Sequence, residues 1–167
     1  MTFSMRRTAA ALGSTAFLVL APGTMGGLVP FLLTGWVTHH PPVVAFALGA
    51  VLLAAGAAVL LHAFTRFVME GAGTPAPVAP TERLVVGGLY RHVRNPMYLA
   101  VTATIVGQAL LLGQYWLLGY AALFLTTTMA FVTLYEEPTL RRQFGAQYDA
   151  YCSAVPGWWP QLHPWRG

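Results

Sequence analysis

The residues able to do chemistry lie in two short stretches. Gly87-Gly88-Leu89-Tyr90-Arg91-His92-Val93-Arg94-Asn95-Pro96-Met97-Tyr98 gathers two arginines, a histidine, an amide and two phenols. Glu136-Glu137-Pro138 places two adjacent carboxylates before a proline, and Arg141, Tyr148 and Tyr151 follow. Cations beside carboxylates suit a zwitterionic ligand, because each end of it can meet an opposite charge. Metal chemistry is not indicated: His39 and His40 are isolated, and Cys152 has neither a partner nor a nearby base to activate it. Each feature also has a plainer use. Arginines near a membrane end set topology or touch headgroups, an acidic pair caps a helix, and tryptophans anchor at interfaces.

The elements that carry these residues are apolar. Of 167 residues, 56% are hydrophobic and 8% charged, with nine arginines, five acids and no lysine. The mean hydropathy is +0.59. A soluble domain carries about 25% charged residues, so the composition excludes a water-soluble globule and a disordered chain. One cysteine excludes a disulfide scaffold. Nine arginines scattered over four regions form no stripe for nucleic acid, despite the net charge of +4.

The fold class expected is all-α: a polytopic transmembrane bundle of about four spans plus a C-terminal amphipathic interfacial helix. A crossing needs roughly 20 apolar residues. Span one runs from about Thr8 to Trp36 and is kinked or broken at Pro22-Gly23, Gly26-Gly27 and Pro30. Arg6-Arg7 with the apolar run behind it resembles a signal peptide, but the run stays apolar to Trp36, which favours a retained span. Span two is Val43 to about Phe64, with Ala45/Gly49 and Ala54/Ala58 at spacings that suit close helix packing. Span three is Met97 to Leu112 and span four Tyr115 to Tyr135, joined so tightly at Gly113-Gln114 that they form a hairpin. With four spans every arginine falls on one side, so both termini and the 65–96 loop are expected in the cytoplasm.

Two segments remain outside the spans, roughly 65–96 and 136–167, too short for a separate nucleotide-binding domain. Gly71-Ala72-Gly73 is no dinucleotide fingerprint, and the stretch from Gly73 through Pro80 reads as an extended loop. Pro96 fits the first turn of span three, whose amides could hold an anion. Pro138 is expected to end one helix and open another, setting Glu136 and Glu137 at a helix N-terminus. Leu140, Phe144, Tyr148, Tyr151 and Val155 recur at spacings of three and four, which predicts one amphipathic helix on the membrane. The hairpin should bring the Arg91–Tyr98 cluster and Glu136-Glu137 to the same membrane face.

These residues carry a resemblance. Gly88, Tyr90, Arg94-Asn95-Pro96-Met97-Tyr98, Glu136-Glu137, Leu140, Phe144-Gly145, Tyr148, Tyr151 and Val155-Pro156 follow, in order and spacing, the pattern of the isoprenylcysteine carboxyl methyltransferase family. The likeness is to its small bacterial members, which are related to the phospholipid N-methyltransferases. It covers about residues 70 to 160, and the Gly71–Pro77 loop also looks like the bacterial branch. One departure is Asn95, where the family has histidine; asparagine can replace it as hydrogen-bond donor and acceptor, but not as a base.

The resemblance implies an integral-membrane methyltransferase that uses S-adenosylmethionine, releases S-adenosylhomocysteine, and takes a lipophilic or lipidated acceptor from the bilayer. It also implies a bacterial inner-membrane location and a division into residues 1–69, holding spans one and two, and residues 70–167, the cofactor-binding core. Under it Glu136 pairs with the cofactor's amino group, and Glu137 is a second acceptor or a cap. Arg94, Asn95 and the amides after Pro96 hold the cofactor carboxylate. Tyr90 and Tyr98 pack on adenosine or sulfonium, with His92 nearby. Arg141 and Tyr148 orient the substrate head. A carboxylate acceptor needs only alignment and removal of water. An amine needs a base, for which Glu137 or His92 would serve. The rivals are a phospholipid or small-lipid amine methyltransferase and, in another class, a non-catalytic lipid-binding scaffold or transporter subunit.

Overall fold

The computed structural model describes residues 20–71 and 83–166. They form five helices, with no strand among the described residues: α1 (Thr24–Thr34), α2 (Val43–Gly71), α3 (Pro96–Leu112), α4 (Leu117–Phe144) and α5 (Ala146–Ala154). The start of span one, Arg6-Arg7 and the Gly73–Pro80 loop lie outside the described residues. Within α2 and α4, Val43–Arg66 and Leu117–Phe144 are long and apolar enough to cross a membrane; α1 and α3 are shorter apolar helices.

Large apolar side chains point outward: Val43, Val44, Val51 and Leu61 on α2, and Leu118, Leu123 and Leu134 on α4 are all exposed. That inverts the pattern of a protein folded in water and suits helices whose outer faces meet hydrocarbon. The interior is held by close backbone approach instead. A methyl group on Gly49 would lie 2.5 Å from Leu111 N, one on Gly56 2.9 Å from Ala100 O, and one on Gly107 2.7 Å from Leu53 N. The small-residue seam therefore sets Gly49 against Gly107 and Gly56 against Ala100 and Thr104. Ala54 and Ala58, expected to pack, are exposed on the other face of α2.

The hairpin is present. Gly113 takes φ +67 at the end of α3, and α4 begins four residues later. Gln114 is buried there and donates to Val37 O (2.6 Å) and Thr34 O (3.3 Å), while His39 N–H donates to Leu112 O (2.8 Å). The α1–α2 connection and the α3–α4 hairpin thus meet at one end of the bundle.

The expected break in span one takes a definite form. α1 opens as a π turn, Thr24–Leu28, in which Val29 N–H reaches Thr24 O, and Pro30 follows inside the helix. Pro30 has no N–H to offer, so Met25 O and Gly26 O need other donors. Tyr120 Oη of α4 donates to Met25 O at 2.8 Å, and Gln108 Nε2 of α3 donates to Gly26 O at 2.6 Å. Trp36 Nε1 completes the clasp by donating to Gln108 Oε1 at 3.2 Å. The proline that weakens α1 is what fastens it to the two helices beneath it.

Candidate functional site

The chain approaches α3 through a 3-10 turn, Gly88–Arg91. Gly88 is favoured there by its φ of +56, and a Cβ would sit 2.7 Å from His62 Nε2, so the imidazole would have to move aside. The turn buries Tyr90, whose carbonyl accepts a 2.7 Å bond from Tyr151 Oη. Burial pushes the Tyr151 phenol up from its usual range, against the opposing charge of Arg94, so it stays a neutral donor.

The tail after α5 folds back over this approach. Arg94 N–H donates to Pro156 O (2.9 Å), Asn95 Nδ2 to Gly157 O (3.1 Å), Gln161 N–H to His92 O (2.9 Å) and Trp165 N–H to Arg91 O (3.0 Å). His92 Nδ1 lies 2.8 Å from Gln161 O. The Trp158 ring packs near Tyr98, centroids 6.3 Å apart, and Trp165 packs on Tyr151. Only part of the tail is therefore left as an exposed interfacial surface: Trp159 and Leu162 face outward.

The carboxylates come from the far end of the hairpin. Pro138 does not end the helix as expected. α4 runs on through it, because a second π turn, Val132–Glu136, absorbs the misfit two residues earlier, with Glu137 N–H bonded to Val132 O. Glu136 and Glu137 are thus mid-helix and not at a free N-terminus. Being adjacent on a helix, they aim in different directions. Glu136 Oε2 accepts from Tyr98 Oη at 3.0 Å, and Glu137 Oε1 pairs with Arg94 Nη2 at 3.1 Å.

Arg94 is the most constrained of the group. Its other terminal nitrogen donates to Cys152 Sγ, and its Nε is buried with no hydrogen-bond partner. The sequence reading gave Cys152 no partner; the fold of α5 supplies one. The amphipathic segment is split between the end of α4 and α5, because Gly145 takes φ +52 between them. Its stripe does gather: Leu140, Phe144, Tyr148, Tyr151 and Val155 form one cluster, but against Leu84, Val86 and Trp165 of the protein itself. The stripe is satisfied by protein, which is why Tyr148, Tyr151 and Val155 are buried.

Two cavities meet at these residues. The larger, about 430 Å³, lies between α3 and α4 under α1. Tyr98, Glu136 and Arg94 stand at one end, and Leu123, Phe124, Phe131, Met25 and Tyr120 line its apolar length. The smaller, about 70 Å³, is lined by Leu84, Val85, Val132, Leu140, Tyr148 and Tyr151. Tyr90, Arg94, Asn95 and Glu136 line both. The structure therefore gathers Tyr90, Arg94, Asn95, Pro96, Tyr98 and Glu136 on the larger cavity, with Glu137 joined through Arg94 and Tyr148 on the smaller one. His92 is turned to the tail. Arg141 lines neither cavity: it is half exposed, paired with Asp149 at 2.7 Å, and lies 5.8 Å from the centre of the Tyr148 ring. No group of metal-ligating residues occurs among the described residues.

The sequence reading missed Cys152, the Gly157 carbonyl and the stripe Tyr120, Phe124, Thr127 and Phe131. The stripe follows the helical spacing of three and four, yet so do the outward faces of a span, so the pattern alone does not distinguish cavity from lipid. Compared with known families, residues 44–147, more than half of the chain, match the family described as phospholipid methyltransferase. Curated proteins and solved structures give no match.

Proposed function

Because the chain belongs to the phospholipid methyltransferase family, we propose that it moves a methyl group from S-adenosylmethionine to a lipophilic acceptor whose chain occupies the larger cavity. The observation that carries this is the shared wall. Tyr90, Arg94, Asn95 and Glu136 line both an apolar chamber and the small chamber beside it, so the polar end of a ligand and a lipid chain can meet at them.

The residues fit the amino-acid end of the methyl donor. Glu136 supplies a carboxylate for an ammonium group. Arg94 Nε, buried and unpartnered, is the kind of donor that a ligand carboxylate satisfies. Asn95 stands next to it, and Tyr90 and Tyr98 offer ring faces to a cationic or aromatic group. When bound, S-adenosylmethionine supplies an electrophilic methyl carbon on a positively charged sulfur. The protein's own work is then orientation and exclusion of water: Tyr98 fixes the Glu136 carboxylate, Glu137 fixes Arg94, and the apolar chamber keeps the acceptor dry.

For the acceptor we favour an isoprenylcysteine-type carboxylate, which needs no base, with Tyr148 near its head and Arg141 acting only through the Tyr148 ring. An amine acceptor is the second reading. Glu136 on the cavity wall favours it, as its carboxylate would attract an ammonium and accept its proton. We place span one (about Thr8 to Trp36, of which α1 is the described part), α2, α3 and α4 as four membrane crossings with both termini and the Arg91 end on the cytoplasmic side of a bacterial inner membrane, since the described arginines gather at that end.

Calorimetry with S-adenosylhomocysteine on protein in lipid nanodiscs tests the reading. Binding by the wild type and loss of at least tenfold in affinity in Glu136→Ala is the expected result; a folded wild type that does not bind overturns it in favour of a lipid-binding scaffold. Methyl transfer to a prenylated N-acetylcysteine or to a phosphatidylethanolamine then decides between acid and amine.

A further inference from the structure

The larger cavity ends in a feature that the methyl-transfer chemistry does not use. Its stripe on α4 runs from Glu136 back through Phe131, Thr127, Phe124 and Leu123 to Tyr120. Sixteen residues separate the two ends, roughly 24 Å at the α-helical rise of about 1.5 Å per residue. Tyr120 does not simply point into the space. Its hydroxyl is tied to Met25 O, the carbonyl that the π turn and Pro30 leave without a backbone donor, and Met25 lines the cavity beside it. The phenol thus bridges α4 and α1 across the end of the chamber remote from Glu136.

The volume sets what fits. A cavity of about 150 Å³ accepts one benzene ring, so with no methyl donor in it about 430 Å³ holds roughly 15 to 18 carbons on the same scale. That is one hydrocarbon chain, and a second chain would have to stay outside in the bilayer. Resting on the reading that the chamber takes a lipophilic acceptor, we propose that Tyr120 is a specificity-determining residue. It closes the far end of the chamber and sets the length of the single chain that can lie there with its head at Tyr98 and Glu136.

The test uses photoprobes and needs no methyl donor, so it stands or falls apart from the proposed reaction. Full-length protein in nanodiscs is labelled with n-alkyl probes of about 8, 12, 16 and 20 carbons, each carrying a terminal diazirine and either a carboxylate or a dimethylamine head. Adducts are mapped by peptide mass spectrometry. The expected result is that adducts of the probe of about 16 carbons fall on Met25 and Tyr120 and those of the shortest on Thr127 to Phe131, with the longest probe labelling weakly. Tyr120→Ala should extend the best-labelled length by roughly four to six carbons, the space of the deleted ring. Tyr120→Phe, which keeps the ring and loses only the bond to Met25, should leave the length preference in place. Labelling confined to outward residues such as Leu118 and Leu134, or a length profile unchanged in Tyr120→Ala, would overturn the proposal. A profile seen with only one of the two heads supports it and assigns the acceptor class.

Discussion

Tyr98 and Glu136 meet through a 3.0 Å hydrogen bond across 38 residues of chain, linking the first turn of α3 to the last residue of a π turn in α4. The bond depends on that turn. Without the irregularity before Pro138, Glu136 would take a different angular position on α4 and leave the cavity mouth. Removing the charge by Glu136→Gln keeps the size of the side chain, so a fall of roughly 10- to 100-fold in S-adenosylhomocysteine affinity, the scale of one charge-assisted bond, is expected. Tyr98→Phe should cost less, since it loosens the carboxylate without deleting it. Calorimetry on both variants checks the order.

Arg94 and Glu137 form a largely buried pair, with 17% and 22% of their side chains exposed. Glu137→Gln leaves the guanidinium short of its counter-charge and should lower stability by about 2 kcal/mol. Arg142→Gln, at an exposed position bonded to Thr139, should stay within about 0.5 kcal/mol. Thermal unfolding in nanodiscs compares the two; equal melting temperatures would remove Arg94 from the structural core.

The seam between α2 and α3 has no room to give, because the atoms that a Gly56 side chain would strike include the backbone of Ala100 and Thr104. Gly56→Val should destabilise by about 1–3 kcal/mol or more through overpacking. Gly27→Ala, where nothing lies within 4 Å, should be neutral or slightly stabilising. Yield of folded protein and melting temperature read both changes.

Gln108→Leu removes the donor on Gly26 O, the carbonyl whose α-helical partner would be the N–H that Pro30 lacks, and the acceptor for Trp36. A cost of about 1–3 kcal/mol follows from one unsatisfied buried group. Hydrogen exchange should rise in α1 first, while α2 and α3 remain protected; uniform loss of protection would show that the clasp is not local.

Tyr148 and Tyr151, both outside the spans, are pushed up by burial, with Cys152 adding to the effect on each. Their folded state keeps protons that the unfolded chain gives up near pH 10. The stability this contributes is therefore complete below about pH 10 and declines as pH rises above it. Tyrosinate absorbance should show these phenols silent at pH 10 in the folded protein, and Tyr151→Phe should leave the absorbance change at that pH nearly untouched. A clear loss of absorbance change in the variant would mean that Tyr151 titrates normally.

Much was fixed by residue type and spacing alone. Apolar runs require helices with lipid-compatible faces, the short Gly113-Gln114 link requires a hairpin, and the hairpin requires that Tyr98 and Glu136 return to one end. Those are consequences of chain length and hydrocarbon thickness, and they hold whatever the packing. Angular position was not legible in the same way. Whether Glu136 or Glu137 faces the cavity depends on how Pro138 is accommodated, and a proline can end a helix or be absorbed by a π turn upstream; tertiary packing chose the second. The stripe at Leu140 to Val155 was readable as amphipathic, but only the fold shows that Trp165 and Leu84, not lipid, cover it. Cys152 found Arg94, and Tyr120 found Met25, through contacts between elements distant in sequence. Local pattern determines which elements form and which faces are apolar, while the partner each face meets is settled by packing in three dimensions.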